Sequence, residues 1–348
     1  MSTLALHARH VLTADGWREN VTVVVEDGRI RFVGPRSAPA IVPDAEEDLG
    51  ACWLVPAFVD AHWHLDVIEP EEALVDLDPV PYQGLVKEAF ALTSHAASGV
   101  VTIRFAHGWA AGASALRRAV LEGTVDGPRI IHAGSPLGSS GDPAVELVRA
   151  RRGFGEGADQ LVLGSCASPG VDQRIVALAV DEAARRRATV GIHPATTGEA
   201  LAAVRAGVRL VEGVPEGDPD DLVEAMKVSG AVLVPLLAGG RRSGEVRLVR
   251  RASERGVRIA AGSAGGTLRD EIASLHDAGL DADQLLEAVT RSGAIAVGLE
   301  DDAGTIRPGM LADLVAFSRD PRREDTLLSP SAIARLYRSS DQVVVGRA

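Results

Sequence analysis

The sequence is poor in cysteine, lysine and aromatic residues, and it contains no long apolar run. Its two cysteines, Cys52 and Cys166, cannot build the disulfide framework of a small secreted domain. No apolar stretch reaches the roughly 18 residues that a membrane-spanning helix needs, and the first residues lack the basic and apolar regions of a signal peptide. These absences predict a reduced, soluble and cytoplasmic protein without a membrane partner.

Basic residues are also fewer than acidic ones. The 348 residues include 36 Lys and Arg against 48 Asp and Glu, which gives a formal net charge of −12 at pH 7. A field of this sign opposes non-specific binding to nucleic acid or to an anionic membrane. We therefore expect no nucleic-acid partner, and the composition leaves homo-oligomerisation open.

The middle of the chain alternates between strand-like and helix-like patterns. Eight apolar runs occur between residues 56 and 299 or at their edge, and helical spacing of apolar residues fills the segments between them. The runs are LVPAFVDA, VVTIRFA, RIIHAG, QLVLGSC, TVGIHP, RLVEGV, AVLVPLL and RIAAGSA. Eight such units predict an α/β fold, a (β/α)8 TIM barrel, with an open doubly wound sheet as the competing fold.

Both ends of the chain have β character. The segment VTVVVEDGRIRFVG contains two alternating runs joined by Asp27-Gly28, a pair that suits a type I′ hairpin turn. The last 49 residues again contain strand-like runs, GMLADLVAF and QVVVG. Because closing a barrel brings its ends together, residues 1–55 and 300–348 are predicted to form one small composite β-sandwich domain.

The clearest chemical signal is His62-Trp63-His64 at the end of the first predicted strand. Residues i and i+2 on an extended strand point to the same side, so both imidazoles can face one metal ion. His193 closes the fifth predicted strand, and the carboxyl ends of the strands meet at one rim of a TIM barrel. We therefore predict a metal site formed by His62, His64 and His193.

Other reactive side chains fall at the remaining strand ends. His107 follows the second strand, His132 lies in the third, Cys166 follows the fourth and Glu212 lies in the sixth. Single histidine and cysteine residues are common in cores, so ordinary packing is favoured for His132 and Cys166. For His107 packing and chemistry are equally weighted.

The segment LVPAFVDAHWHL resembles the signature of the amidohydrolase superfamily, in particular its imidazolonepropionase-like and prolidase-like members. Matching motifs recur along essentially the whole chain, among them SGVVTIRFAHG, GPRIIHAGSPL, VGIHP, AGVRLVEG, GVRIAAGSAGGT and DDAGTIRPGMLADLVAF. The last of these fits the β-sandwich return of this family. The resemblance implies a metal-dependent hydrolase with a small composite β domain, usually cleaving a C–N bond.

Three positions depart from the family pattern. Val162 stands where members commonly have a carboxylated lysine, Gly213 replaces the strand-6 histidine, and Ala264 replaces the strand-8 aspartate. The resemblance therefore implies that a bridged two-metal site is lost. Three neutral histidines with an open fourth position still suffice for one divalent transition ion, zinc first, with iron, nickel or cobalt as alternatives.

The missing aspartate leaves the proton acceptor of hydrolysis unassigned. Glu212 is our first candidate general base and His107 the second, with Asp66 as a further substitute. Such a base contributes roughly 10²- to 10⁴-fold to a rate. Alternation along the sixth strand leaves open that Glu212 turns away from the mouth into a structural salt bridge.

Two loops and one aromatic residue are candidates for substrate binding. The loop LDVIEPEEALVDLDPVPYQG carries six carboxylates, and the loop after the seventh strand offers Arg241 and Arg242. Either loop is compatible with a solvated surface. As functional elements, the first is an acidic lid for a cationic or peptide substrate and the second an anion clamp. Trp63 adds an apolar wall or packs in the core.

Two functions follow from these patterns. The first is a divergent, mononuclear amidohydrolase that uses metal-activated water on an amide, amidine or cyclic C–N bond of a small molecule or peptide. The second is a catalytically degenerate barrel, with little or no metal, that binds or scaffolds a partner or performs a non-hydrolytic reaction such as cyclisation. Metal content separates the two hypotheses.

Overall fold

The computed structural model describes most of the chain, with short gaps. The described ranges are residues 3–36, 42–65, 80–96, 98–165, 168, 170–239, 243–323, 326–327, 329–339 and 345–346. Within these ranges the strands are β1 (Thr3–Thr13), β2 (Gly16–Glu26), β3 (Arg29–Pro35), β4 (Ala45–Asp48), β5 (Trp53–Pro56), β6 (Phe58–His64), β7 (Val100–His107), β8 (Arg129–His132), β9 (Leu161–Leu163), β10 (Val190–Ile192), β11 (Leu210–Glu212), β12 (Val232–Val234), β13 (Arg258–Ile259), β14 (Leu314–Phe317), β15 (Ile333–Tyr337) and β16 (Val345–Gly346).

Helices fill the connections between the strands in the middle of the chain. They are α1 (Val80–Ala96), α2 (Ala110–Leu121), α3 (Pro143–Gly155), α4 (Gln173–Ala184), α5 (Thr197–Ala206), α6 (Asp220–Ser229), α7 (Ser243–Glu254), α8 (Leu268–Asp277), α9 (Ala282–Val289) and α10 (Arg291–Ala296). None of these described helices is long and apolar enough to cross a bilayer.

Strands β6 to β13 form the barrel wall and pair in parallel. One ladder has the order β6-β7-β8, and a second runs from β9 to β13. At one junction Leu137 bridges to Leu163, and at the other the Ala61 amide donates to the Ala261 carbonyl at 2.9 Å. The regular ladder is interrupted at these junctions, and a few backbone hydrogen bonds link its two parts. Eight parallel strands alternating with helices confirm the predicted α/β fold of the TIM-barrel type.

The helices begin and end at residues that favour helix termini. The Thr196 side chain accepts a hydrogen bond from the Glu199 amide at the start of α5, and Gly207, with φ of 111°, ends that helix. Asp281 and Gln284 form a reciprocal capping box at the start of α9. The buried helix faces pack against the strands in a core that includes Val211, Leu233, Leu275 and Leu286.

The two ends of the chain combine in a further sheet. Its strand order is β16-β15-β14-β5-β1-β2-β3, with β4 paired to β1. The β2–β3 hairpin turns at Asp27 and Gly28, whose φ angles of 49° and 74° confirm the predicted type of turn. A separate apolar cluster packs under this sheet and includes Leu6, Val23, Leu54 and Leu314. Whether residues 1–55 with 300–348 fold as a domain apart from residues 56–299 stays a prediction.

Candidate metal centre

Four histidines meet at the carboxyl ends of the barrel strands. His62 and His64 end β6, His107 ends β7, and His193 directly follows β10. The ring centre of His62 lies 5.0 Å from those of His64 and His107 and 5.1 Å from that of His193. We call these four residues the histidine cluster. The rim position predicted from the strand order therefore holds one more imidazole than the predicted trio.

The nitrogens of the cluster are spaced closely enough for one metal ion. One nitrogen from each of His62, His107 and His193 lies within 4.8 Å of the other two. Two pairs are closer: His62 Nε2 lies 3.0 Å from His64 Nε2, and His107 Nε2 lies 2.9 Å from His193 Nε2. Zinc–nitrogen bonds of about 2.0–2.1 Å place two ligands of a tetrahedral ion about 3.3 Å apart. The geometry thus adds His107 to the expected ligands. His64 lies next to the group formed by His62, His107 and His193.

Burial keeps the imidazoles of His62, His107 and His193 neutral. It lowers the pKa of His62 below its ordinary value, that of His107 to about 2 and that of His193 to about 3. A metal binds the neutral imidazole through a free lone pair. The donor set therefore fits a borderline transition ion such as Zn²⁺.

Glu212 lies beneath the cluster inside the barrel, and both of its oxygens are engaged. Oε2 lies 2.5 Å from His62 Nδ1, and Arg104 donates one hydrogen bond of 3.0 Å to each oxygen. Burial by itself raises the pKa of this carboxyl, but the Arg104 guanidinium and His62 outweigh burial and hold the pKa well below its usual range. Glu212 is thus an anion in a buried ion pair, the alternative that strand alternation had left open.

Arg104 is one of the site residues that sequence reasoning missed, and Asp60 is another. Arg104 lies on β7, is fully buried, and also donates from Nε to the Gln160 Oε1 at 2.5 Å. Gln160 in turn donates to the Ala296 carbonyl at 3.0 Å. One signal was available, since a single charged residue interrupts the apolar run VVTIRFA of a strand that is buried on both faces.

Asp60 connects the first and last strands of the barrel beside the cluster. Its Oδ1 accepts hydrogen bonds from the His62 amide at 3.2 Å and the Ser263 amide at 3.1 Å, and its Oδ2 accepts from the Ser263 hydroxyl at 2.5 Å. Burial raises the pKa of Asp60 to about 6, although these donors oppose the shift. Asp60 thereby fixes the backbone of His62.

The three positions that depart from the family pattern lie around this site. Val162 is fully buried in β9. Gly213 has φ of 77°, where a side chain is disfavoured, and a β-carbon there would lie 3.8 Å from His193 Nδ1. Ala264 has φ of 49°, and its amide donates to the His62 carbonyl at 2.8 Å. None of the three supplies a side chain that coordinates a metal.

Other predicted site residues lie elsewhere. Trp63 points away from the rim towards α1, where its indole N–H donates to Glu88 at 2.7 Å and its ring packs on His95. It is buried in the apolar cluster between strands and helices, so we leave it out of the substrate site. His132 Nε2 lies 3.0 Å from the Ser114 hydroxyl on α2, as expected for a packing residue. The candidates Asp66, Cys166, Arg241 and Arg242 lie outside the described residues.

Comparison with known families agrees with this geometry. The model of the amidohydrolase family matches residues 53–345. The chain belongs to the amidohydrolase family. The resemblance inferred from LVPAFVDAHWHL and the later motifs is thereby confirmed. The sequence has no significant match among curated proteins.

Solved structures share the fold of this amidohydrolase along its whole length. A Xaa-Pro dipeptidase with methionine bound in its active site is 19% identical, with a TM-score of 0.82, over 99% of this chain and 100% of the other. Ochratoxinase from A. niger is 20% identical, with a TM-score of 0.83, over 97% and 95%. Molinate hydrolase is 17% identical, with a TM-score of 0.82, over 98% and 94%. At these identities the likeness establishes the fold and leaves the substrate open.

Proposed function

We propose that this amidohydrolase hydrolyses an amide, amidine or cyclic C–N bond of a small molecule or peptide, using one divalent transition ion held by His62, His107 and His193. The observation that carries the proposal is the convergence of three neutral, largely buried imidazoles at the rim where TIM barrels place their active sites. Zinc is our first choice among ions that prefer nitrogen ligands.

A bound ion of this kind supplies Lewis-acid polarisation of the substrate carbonyl and an activated water molecule. The chain's own residues supply orientation. Glu212 accepts from His62 Nδ1, which leaves Nε2 directed at the cluster, and Asp60 holds the His62 backbone. Since both Glu212 oxygens are already engaged, we assign Glu212 to orienting His62 and no longer to general-base catalysis.

We assign the proton transfer to His64. This side chain lies 3.0 Å from His62, stacks on His107 with ring centres 4.4 Å apart, and is more exposed than His62. It therefore lies next to the proposed ligands at the side of the cluster that solvent reaches. Arg241 and Arg242 keep their proposed role as an anion clamp for the substrate.

Metal content tests the proposal. We expect protein purified without chelator to contain about one equivalent of a transition metal, and His107→Gln and His193→Gln to lose it. His132→Gln is the matched control. The His132 side chain is buried and contacts Ser114 on helix α2, away from the histidine cluster, so its replacement should leave the metal in place. Two equivalents per chain would contradict the single site, and a panel of amides, lactams and dipeptides then measures turnover.

A second function is favoured by one feature of the site. Among the described residues, the carboxylates beside the cluster are those of Asp60 and Glu212, and both are engaged in hydrogen bonds, while Ala264 supplies none. A site whose described part offers no available carboxylate fits a binding, scaffold or cyclising protein that has lost hydrolysis. A folded native protein that contains no metal and turns over none of the panel supports this function and excludes the first.

A further inference from the structure

The barrel interior contains a permanent cation for which the proposed hydrolysis has no direct use. Arg104 is fully buried, whereas the interior of a TIM barrel is usually filled by branched apolar side chains. Its guanidinium donates to both oxygens of Glu212, to the Ala61 carbonyl at 3.3 Å and to Gln160. Burying a charge is costly unless it is paired and hydrogen-bonded, so a residue with this many fixed contacts defines one arrangement of its partners.

We propose that Arg104 is a positioning residue that sets which nitrogen of His62 is free to bind a ligand. Arg104 holds the Glu212 carboxylate in a two-point contact, and Glu212 Oε2 lies 2.5 Å from His62 Nδ1. A carboxylate offers only acceptors, so the proton of His62 must lie on Nδ1. Nε2 then carries the lone pair, at the nitrogen that faces the histidine cluster.

The neighbouring contact agrees with this assignment. His62 Nε2 lies 3.0 Å from His64 Nε2, and two imidazole nitrogens at this distance need one donor and one acceptor. With the His62 proton on Nδ1, His62 Nε2 accepts from His64 Nε2–H in the metal-free protein, and a metal ion bound at His62 Nε2 would replace this hydrogen bond. Every hydrogen bond in the chain from Arg104 through Glu212 and His62 to His64 therefore has one donor and one acceptor.

The charge of the network explains why an arginine occupies this place. Arg104 and Glu212 neutralise each other, and only a planar guanidinium fills both oxygens of one carboxylate with parallel hydrogen bonds. A lysine ammonium keeps the charge but loses this fork. We therefore expect Arg104 to act on His62 through geometry and not through net charge alone.

The inference rests on the proposed metal site only for its functional consequence, and its first test needs no metal. In metal-free, ¹⁵N-labelled protein, long-range ¹H–¹⁵N correlations distinguish a histidine protonated on Nδ1 from one protonated on Nε2, and His62→Gln assigns the His62 signal. We expect Nδ1–H in the wild type. We expect Arg104→Gln to lose this single form, because the carboxylate is no longer held against Nδ1.

The second test measures metal affinity by competition with a chromogenic chelator. Loss of a residue that orients a metal-ligating histidine costs roughly 10- to 100-fold in affinity. We expect a loss of this size for Arg104→Gln and a smaller loss for Arg104→Lys, which also serves if the glutamine variant does not fold. Arg117→Gln is the control, because Arg117 pairs with Asp159 outside the barrel and should change neither readout.

The outcomes separate this inference from the proposed function. A His62 signal of the Nε2–H form in the wild type, or an Nδ1–H signal and wild-type affinity in both Arg104 variants, overturns the positioning role. A protein that binds no metal, but whose His62 form changes with Arg104→Gln and Arg104→Lys, supports the positioning role and contradicts the metal site.

Discussion

The two ring nitrogens of His62 have different partners, and this difference organises the site. Nδ1 faces the buried ion pair of Glu212 and Arg104, and Nε2 faces the other imidazoles. A residue of the same type at position 64 lies two residues further along the strand on the same side, yet it is more exposed than His62. The two histidines of the HxH motif, His62 and His64, therefore have different roles because their surroundings differ.

Substitutions of His64 and His107 are expected to have different consequences. We predict that His107→Gln loses the metal, whereas His64→Gln keeps about one equivalent and lowers kcat on the order of 10²-fold, as expected for loss of a proton-transfer group. Elemental analysis and steady-state kinetics on the same preparations provide both numbers. If His64→Gln loses the metal and His107→Gln retains it, the two assignments must be exchanged.

Glu271 on α8 makes stability depend on pH. It is buried, its Oε2 accepts from the Ala238 amide at 2.7 Å, and its Oε1 has no hydrogen-bond partner. Burial raises its pKa to about 7 from the ordinary value of 4.5, with the nearby Asp60 adding to the rise. At this group the folded chain then binds more protons than the unfolded chain between these values, so the contribution of Glu271 to stability is largest at low pH and falls as pH rises from about 4.5 to 7.

Replacing Glu271 by glutamine should remove this pH dependence. Each unit of difference in pKa between folded and unfolded chains is worth about 1.4 kcal/mol, so we expect Glu271→Gln to stabilise by about 1–3 kcal/mol at pH 8 and much less at pH 5. Denaturant unfolding at the two pH values measures the difference. Glu287→Gln, an exposed position on α9, is the control; equal effects of Glu271→Gln at both pH values would contradict the assignment.

At the scale of the element, the segment that follows the last barrel strand, β13, contains the position where the family resemblance implies a catalytic aspartate. Ser263 bonds Asp60, and Ala264 adopts a left-handed conformation with φ of 49°. Aspartate and asparagine tolerate this conformation better than most residues do. The backbone that follows β13 thus remains compatible with the aspartate that the family resemblance places there.

Restoring that residue tests whether the element still supports hydrolysis. We predict that Ala264→Asp raises kcat at least tenfold on any substrate that the wild type turns over, because a carboxylate there restores a proton acceptor. Ala264→Asn has the same shape without the charge and should not do so. If wild type and Ala264→Asp are both inert and free of metal, the hydrolase function should be abandoned for the binding function.

At the scale of the whole molecule, a partly buried ion pair joins the barrel to the composite sheet. Arg129 on β8 donates to Asp313 at 3.0 Å, and also to Thr102 and Ser339 at 3.0 Å. Asp313 precedes β14 and accepts from the Ser339 amide at 2.7 Å. Since these contacts cross from one part of the fold to the other, we expect the two parts to unfold together.

Removal of Asp313 measures this coupling. Breaking a fully buried pair leaves an uncompensated charge and costs about 3–5 kcal/mol; Arg129 is partly exposed, so Asp313→Ala should lower stability by less than this range. Asp302→Ala is the control. The side chains of Asp302 and Arg29 are 43% and 49% exposed, and an exposed ion pair of this kind contributes at most about 1 kcal/mol to stability. Calorimetry should show one transition for the wild type; two separated transitions would instead indicate independent domains.

The sequence by itself determined the order of elements, the hairpin at Asp27 and Gly28 and the rim position of three histidines, because strand alternation, turn residues and helix caps depend on neighbours along the chain. It did not determine which residues meet across the barrel. His107 lies near His62 and His193 only because the barrel brings the ends of β7 and β10 together. Arg104 on β7 and Glu212 on β11 are 108 positions apart in sequence, and they meet only because both side chains point into the barrel interior. Trp63 shows the same limit, since alternation placed it opposite His62 but only the packing of α1 gave it Glu88 and His95 as partners. Periodicity is local, whereas the partner of a buried charge is selected by the closed fold that excludes water around it.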